Sequence, residues 1–260
     1  MIEHFEKFKL TPLSFSHLNE FAFYRARWAL RKIFKYDFTV GPAAERGTVI
    51  ETGLNMWFNG RDLAEIEKKI IDQYLYNTRH VEKIKRDKEQ RMILPMLHDY
   101  TLEYDFINYF DKLDLKLISY QDEVKTKINN VPFRGFTDFH FEDFEKQDLY
   151  IDLKTTGKLV DTIPMSHAMQ QSIYAKATNA RQQLLYGIFY VTKDNIIKPL
   201  EVDNYAKYVK IAEHLVLAMG NYLKSVNSLE DIQKTIIPDI EHWSMQDEDV
   251  KKARIDVWGY

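Results

Sequence analysis

Between residues 134 and 156 the chain alternates between apolar and polar residues in two successive runs, and each run carries an acid in its middle. The first is RGFTDFHF and the second is LYIDLKTT. In a strand, residues two apart share a face. Phe136, Asp138 and His140 therefore lie on one face of the first strand, and Thr137, Phe139 and Phe141 on the other. In the second strand Asp152 and Lys154 point one way and Leu153 the other. A period of two in both runs commits this stretch to neighbouring strands of a sheet. It also places one carboxylate on each strand, with a lysine beside the second.

Two carboxylates brought together repel unless a cation lies between them. Oxygen ligands of this type suit Mg2+ or Mn2+, and a lysine next to such a site can orient water or stabilise a developing phosphate charge. This set suits hydrolysis of a phosphodiester. A helical stretch follows, SHAMQQSIYAKATNA, in which Gln170 and Tyr174 stand at i and i+4 and share a face.

The ordered series Asp138, Asp152-x-Lys154 and Gln170-x-x-x-Tyr174 resembles the PD-(D/E)XK nuclease superfamily, and within it the RecB-like branch with its phage exonucleases and CRISPR-adaptation nucleases. The resemblance implies a restriction-endonuclease-like α/β (α+β) core, in which helices flank a mixed central sheet and an N-terminal helical cap sits over it. It implies Asp138 and Asp152 as metal ligands, the carbonyl of Leu153 as a further ligand, and Lys154 beside the attacking water. It implies one or two Mg2+ or Mn2+ ions, 5'-phosphate products, and Gln170 and Tyr174 as residues that place DNA. RecB-like enzymes commonly carry Gly-x-x-x-His in their second helix. This chain has Gly47-x-x-x-Glu51, which makes Glu51 a candidate third carboxylate at the metal, or a glutamate facing away. Many relatives also place a Cys-Pro pair after the first helix, and here that place reads Phe23-Tyr24-Arg25-Ala26.

The chain has no cysteine, which excludes disulfides, Cys-ligated zinc and the cysteine-bound iron-sulfur cluster of some relatives. A net charge of −3 speaks against coating nucleic acid by bulk charge, and leaves room for a local basic cleft. No apolar run has the length of a membrane span, and the start, MIEHFEKFKL, lacks a signal peptide's apolar segment. A soluble cytoplasmic protein is expected, a viral one in a host cell included. Its 260 residues suit one nuclease domain, with 1–115 as a helical cap or arch, 116–202 as the catalytic core and 203–260 as C-terminal helices and tail.

Along the chain, LTPLSFSHLNEFAFYRARWALRKIF reads as one helix capped by Ser14 or Ser16. Its Arg25, Arg27, Arg31, Lys32 and Lys35 form either a phosphate-contacting surface or a solvated face. Phe21, Tyr24 and Trp28 suit buried packing better than base stacking. AAERGTVIETGLNMWF is a second helix, and two more are expected between Asp62 and about Leu115, with Lys83 to Arg91 as a solvated charged face. Strands are expected at KLISYQDEVKTKI, VPFRGFTDFHF, LYIDLKTT, QLLYGIFYVT and IIKPLEV. Glu123 reads as an exposed strand residue, Lys158 as a phosphate contact after the catalytic strand, and His167 as a surface residue. A long amphipathic helix covers NYAKYVKIAEHLVLAMGNYLKSV, and one short helix is expected in the tail after Ser228.

Three readings stay open at this point. One is a metal-dependent exonuclease acting on single-stranded DNA or DNA ends. Another is a nuclease-fold DNA-binding module without catalysis, and the third is an unrelated interaction protein with a coincidental D-x-K. The order of the motifs favours the first.

Overall fold

A computed structural model describes residues 1–102, 114–143, 145–146, 148–157, 160–178, 186–192 and 197–260, with backbone alone at 186–192 and 199. Lys158 lies outside the described residues. Helices α1 (Ile2–Lys7), α2 (Phe15–Phe23), α3 (Arg25–Trp28), α4 (Pro42–Phe58), α5 (Leu63–Asn77), α6 (Lys83–Gln90) and α7 (Ile93–Leu102) precede a sheet. Its strands are β1 (Lys116–Ile128), β2 (Val131–Glu142), β3 (Asp148–Thr156), β4 (Tyr186–Thr192) and β5 (Ile197–Glu201), and α8 (Met165–Thr178) connects β3 to β4. Helices α9 (Tyr205–Ser225), α10 (Leu229–Thr235) and α11 (Glu248–Trp258) complete the chain.

The strands lie in the order β1-β2-β3-β4-β5. Antiparallel hairpins join β1 to β2 and β2 to β3, β3 runs parallel to β4, and β5 returns antiparallel. A parallel pair needs a crossover, and α8 supplies it. This is the expected mixed sheet flanked by helices.

Two apolar clusters sandwich the sheet. One gathers Val49, Leu54, Ile66, Ile70, Met96 and Leu97 of α4, α5 and α7 onto Phe139, Phe141, Leu149 and Ile151. The other joins Phe5, Leu18, Phe21 and Trp28 of α1–α3 to α8, α9 and the C-terminal helices, over Val124, Val131, Phe133 and Tyr150. The helices of residues 1–102 are therefore shared between two layers. Along β2 the residues Val131, Phe133, Gly135, Thr137, Phe139 and Phe141 are buried in turn, and this one row serves the second cluster at Val131 and Phe133 and the first at Phe139 and Phe141.

Several elements differ from the sequence expectation. The first predicted helix is divided. Tyr24 leaves helical geometry at φ −140°, ψ 53°, and a π-helical turn spans Ala29–Ile33. Ala26, Trp28, Ala29, Leu30 and Ile33 are all buried. A regular helix cannot bury so many successive residues against one surface, and here the C-terminal segment packs on the second side. Three helices occupy Asp62 to Leu102 instead of two, because Lys83–Gln90 forms its own. Its Lys83, Lys85, Lys88 and following Arg91 are exposed, but Arg86 and Glu89 turn inward. The tail holds α10 and α11 where one helix was expected. In α11 the spaced residues Val250, Ala253 and Val257 are buried, a face hidden in the sequence by its many charges. Phe21 and Trp28 pack edge-to-face at 5.1 Å in the core, as expected of buried aromatics.

Candidate active site

The candidate site forms where β2 and β3 part. Their antiparallel pairing runs from Glu142↔Asp148 to Phe139↔Ile151 and ends there. The next residue is Asp138 on β2 and Asp152 on β3, so both acids stand at the first open rung. Beyond it β3 keeps β4 as its neighbour as far as Thr156, and among the described residues its other edge has no strand partner. Asp138 fills part of that gap, its Oδ2 accepting a hydrogen bond from the Leu153 N–H at 3.0 Å.

On the far side of β2 the ladder is also interrupted opposite Asp138. Pairing with β1 passes from Tyr120↔Phe139 to Asp122↔Thr137 and skips Gln121, which takes a left-handed φ of 59°. A non-glycine residue there is uncommon and strained. The side-chain amide of Gln121 donates to Glu51 Oε1 on α4. Gly47, one turn earlier on α4, lies against β3. A methyl group on it would come 3.4 Å from Thr155 Oγ1, so α4 and β3 are in near contact.

Asp152 is 3% exposed, and Lys154 Nζ lies 2.5 Å from its Oδ2. This buried oxygen therefore has the Lys154 ammonium as its partner. Burial pushes the Asp138 carboxyl well above its ordinary range, with the Asp152 charge adding to the shift and Lys154 opposing it. Burial disfavours the charged form of Lys154, but Asp152 and Asp138 outweigh it and hold the ammonium above its ordinary value. Burial also raises Glu51, helped by Asp152 and opposed by the Gln121 hydrogen bond and Lys154. Three carboxylates thus feel one another and a single ammonium.

Tyr174 and Gln170 of α8 meet as the helical spacing predicts, with Gln170 Nε2 donating to Tyr174 Oη at 3.3 Å. The tyrosine ring presses on Gly135 of β2, where an added Cβ would sit 2.4 Å from Cε1. Gly135 is what lets α8 bring this ring down onto the strand that carries Asp138. Burial raises the Tyr174 phenol, and the charges of Asp152 and Asp138 reach it.

Sequence reasoning missed other neighbours of these acids. His167, expected at the surface, is half-buried. Burial and the nearby Lys154 lower its pKa to about 4. It stands three residues before Gln170, so helical spacing already held the signal. Tyr100 of α7 is fully buried within the field of Asp152 and Asp138, but the apolar run ILPMLHDYTL gives no hint of it. Arg46, beside Gly47, donates through Nη2 to the Thr155 carbonyl and Oγ1, both at 3.3 Å.

The other expected site residues have different surroundings. Arg31 pairs with the buried Glu20, and Arg25 lies over the Phe21 ring, 4.6 Å from its centre. Glu123 is exposed and sits between Lys125 and Arg134, at 2.6 and 3.7 Å.

The donor set suits a hard divalent cation. Asp138 and Asp152 supply oxygens, Glu51 lies within their field, and the excess of negative charge over the one Lys154 ammonium is what such an ion would offset. Among the described residues no group of three His, Cys, Asp or Glu side chains is preassembled around a metal position, and Glu51 is held by Gln121. Among the same residues no helix is long and apolar enough to cross a membrane.

Comparison with known proteins gives the same frame. A solved structure from Eubacterium rectale, named "Putative exonuclease", superposes with a TM-score of 0.56 at 14% identity, over 96% of this chain and 89% of its own. A second, SSO0001, aligns over 57% of this chain and 70% of its own at 18% identity, with a TM-score of 0.33. No curated protein matches the chain. A family model described as the PD-(D/E)XK nuclease superfamily matches residues 12–249. The match spans most of the chain, and the protein belongs to the PD-(D/E)XK nuclease superfamily.

Proposed function

We propose that the protein is a Mg2+- or Mn2+-dependent deoxyribonuclease, an exonuclease acting on single-stranded DNA or DNA ends and leaving 5'-phosphates. The observation that carries this reading is the meeting of Asp138, Asp152 and Lys154 at the open rung between β2 and β3. The name of the Eubacterium rectale neighbour supports the exonuclease mode.

Asp138 and Asp152 would hold the metal. Within a strand a residue's N–H and C=O project to the same side. The Leu153 carbonyl therefore faces the gap into which its N–H donates, and is the candidate further ligand. Glu51 is a candidate third carboxylate once Gln121 releases it. The bound ion would supply Lewis-acid charge and an activated water. Lys154 places a positive charge beside the reacting phosphate, orients the attacking water and offsets the negative charge of the phosphorane. Water adds to phosphorus and gives up a proton, the bond to the 3' oxygen breaks, that oxygen takes up a proton and leaves as a 3'-hydroxyl, and the phosphate stays on the 5' side. Gln170 and Tyr174 position the strand, and Arg25, Arg31 and Lys158 are candidate phosphate contacts. An iron-sulfur cluster has no place in this reading, since the chain has no cysteine to ligate one.

The hold of Gln121 on Glu51 favours a second reading, a nuclease-fold module that binds DNA without cutting it. Cleavage of end-labelled single-stranded, duplex and circular DNA, with Mg2+, Mn2+ or EDTA, separates the two. Wild type is expected to cleave linear DNA with metal and to spare circles. Asp152→Ala and Lys154→Ala are expected to lose at least 10²–10³-fold in rate, on the scale of removing one stabilising group at a transition state. Folded wild type that binds DNA and does not cut it overturns the enzyme reading, and cut circles overturn the exonuclease mode.

A further inference from the structure

The open edge of β3 poses a question of backbone accounting. Residues 152–156 carry the two chemical side chains of the strand, but beyond Ile151 they have lost β2 as a hydrogen-bonding neighbour. Leu153 and Thr155 are two apart and present their backbone groups to the same side. The Leu153 N–H is met by Asp138. The Thr155 carbonyl is met by Arg46 Nη2 at 3.3 Å, and the same nitrogen reaches Thr155 Oγ1. Two side chains thus stand where the rungs of a neighbouring strand would be.

Arg46 is 5% exposed. Its other terminal nitrogen, Nη1, pairs with Glu89 of α6. The guanidinium is therefore a fixed fork, one prong on α6 and the other on the residue that follows Lys154. Its planar geometry lets it hold both at once, which a lysine cannot do. Gly47 beside it allows α4 to approach Thr155 closely enough for the fork to reach.

We infer that Arg46 is a positioning residue, which stands in for the missing strand on the open edge of β3 and so fixes where Lys154 points. Its role in rate rests on the nuclease reading above, but its role in holding the strand does not. Glu89 orients the fork, and α6 is thereby tied to the catalytic strand. The ammonium of Lys154 must sit within a fraction of an ångström of its working place, and a misplacement of about 1 Å can cost about 100-fold.

The test uses Arg46→Lys and the double variant Arg46→Met/Glu89→Met. The double variant replaces a buried ion pair by apolar residues of similar size, a change that is often neutral for stability. It keeps the packing and removes the fork. Both variants are expected to lower kcat by about 10- to 100-fold with KM for single-stranded DNA nearly unchanged. Amide hydrogen exchange over residues 153–156 is expected to speed up in both, while the α9 amides keep their protection. Wild-type kcat and wild-type exchange in a folded double variant would overturn the inference. So would a loss of rate in Arg46→Lys that follows its melting temperature and is restored in the double variant. If wild type itself fails to cleave, the nuclease reading falls, and exchange alone decides whether Arg46 holds the strand.

Discussion

β2 is bordered very differently on its two sides. Toward β1 it is paired from Lys116↔Glu142 to Ile128↔Val131, with a bulge near Leu117 and the skipped Gln121. Toward β3 it is paired from Glu142 to Phe139 and no further. The long ladder supplies the framework. The short one ends where the acids are, and other groups fill the two edges it leaves. On β2, Leu13 takes the place of a strand, donating to the Pro132 carbonyl and accepting from the Arg134 N–H, both at 2.8 Å. On β3, Asp138 and Arg46 do so with side chains. A sheet that stayed zipped would satisfy its backbone with its own rungs and leave no gap for a ligand. A sheet that opens must satisfy its backbone in other ways, and here one of the groups that do so is Asp138 of the candidate site.

Substitutions on the two sides should therefore differ in kind. The largest effect is expected from Gly135→Ala. Its Cβ would collide with the Tyr174 ring, at a cost of about 1–3 kcal/mol for overpacking, and would push α8 off the strand that bears Asp138. Chemical denaturation and cleavage assays on the purified variant check both losses. Unchanged activity would show that the approach of Tyr174 has no part in the site.

A smaller effect concerns the segment that covers the β2 edge. His17 Nδ1 accepts from the Ser14 N–H at 3.1 Å and closes the cap of α2, directly after Leu13. Burial, with Lys32 and Lys35, lowers its pKa to about 3. The unfolded chain takes up this proton near pH 6.5, and the folded chain does so only near pH 3. Stability from this group is therefore present above about pH 6.5 and declines as pH falls toward 3. His17→Gln keeps a side-chain acceptor for the cap and should reduce the slope of stability between pH 7 and 5, read by urea denaturation at each pH. An unchanged slope would assign the pH dependence to other groups.

Glu51→Gln tests the gap from the helical side. The metal concentration for half-maximal cleavage is expected to rise by about 10-fold, the lower end for loss of a supporting group at a metal. An unaltered titration would leave Glu51 outside the metal site. The smallest effect belongs to the long ladder. Glu123→Gln alters an exposed cluster with Lys125 and Arg134, which is worth at most about 1 kcal/mol, and cleavage should not change.

The strands and the pairing of acids were legible because period-2 alternation is a local property. Asp138, Asp152 and Lys154 could be placed on their strands from their neighbours alone. Gln170 and Tyr174 were legible by helical spacing. The same spacing extended back by three residues would have found His167. Tyr100, Gln121 and Arg46 could not be read, for separate reasons. Tyr100 lies in an apolar run, and its position depends on how α7 docks. Gln121 matters through a left-handed backbone angle at one skipped rung. Arg46 matters only because β2 and β3 part, and no local pattern records where a ladder ends. The break at Tyr24 escaped notice because burial on two sides of α3 depends on a C-terminal segment more than 200 residues away, joined by Arg27 Nη1 donating to the Ser244 carbonyl at 2.9 Å.

If the open rung between β2 and β3 holds a divalent metal, as proposed, Mn2+ binding must depend on its two acids. Electron paramagnetic resonance titration of Mn2+ into wild type, Asp138→Asn and Asp152→Asn tests it without relying on catalysis. Wild type should bind one or two ions per chain, and each variant, still folded, should lose them. Equal Mn2+ binding by all three proteins would contradict the account.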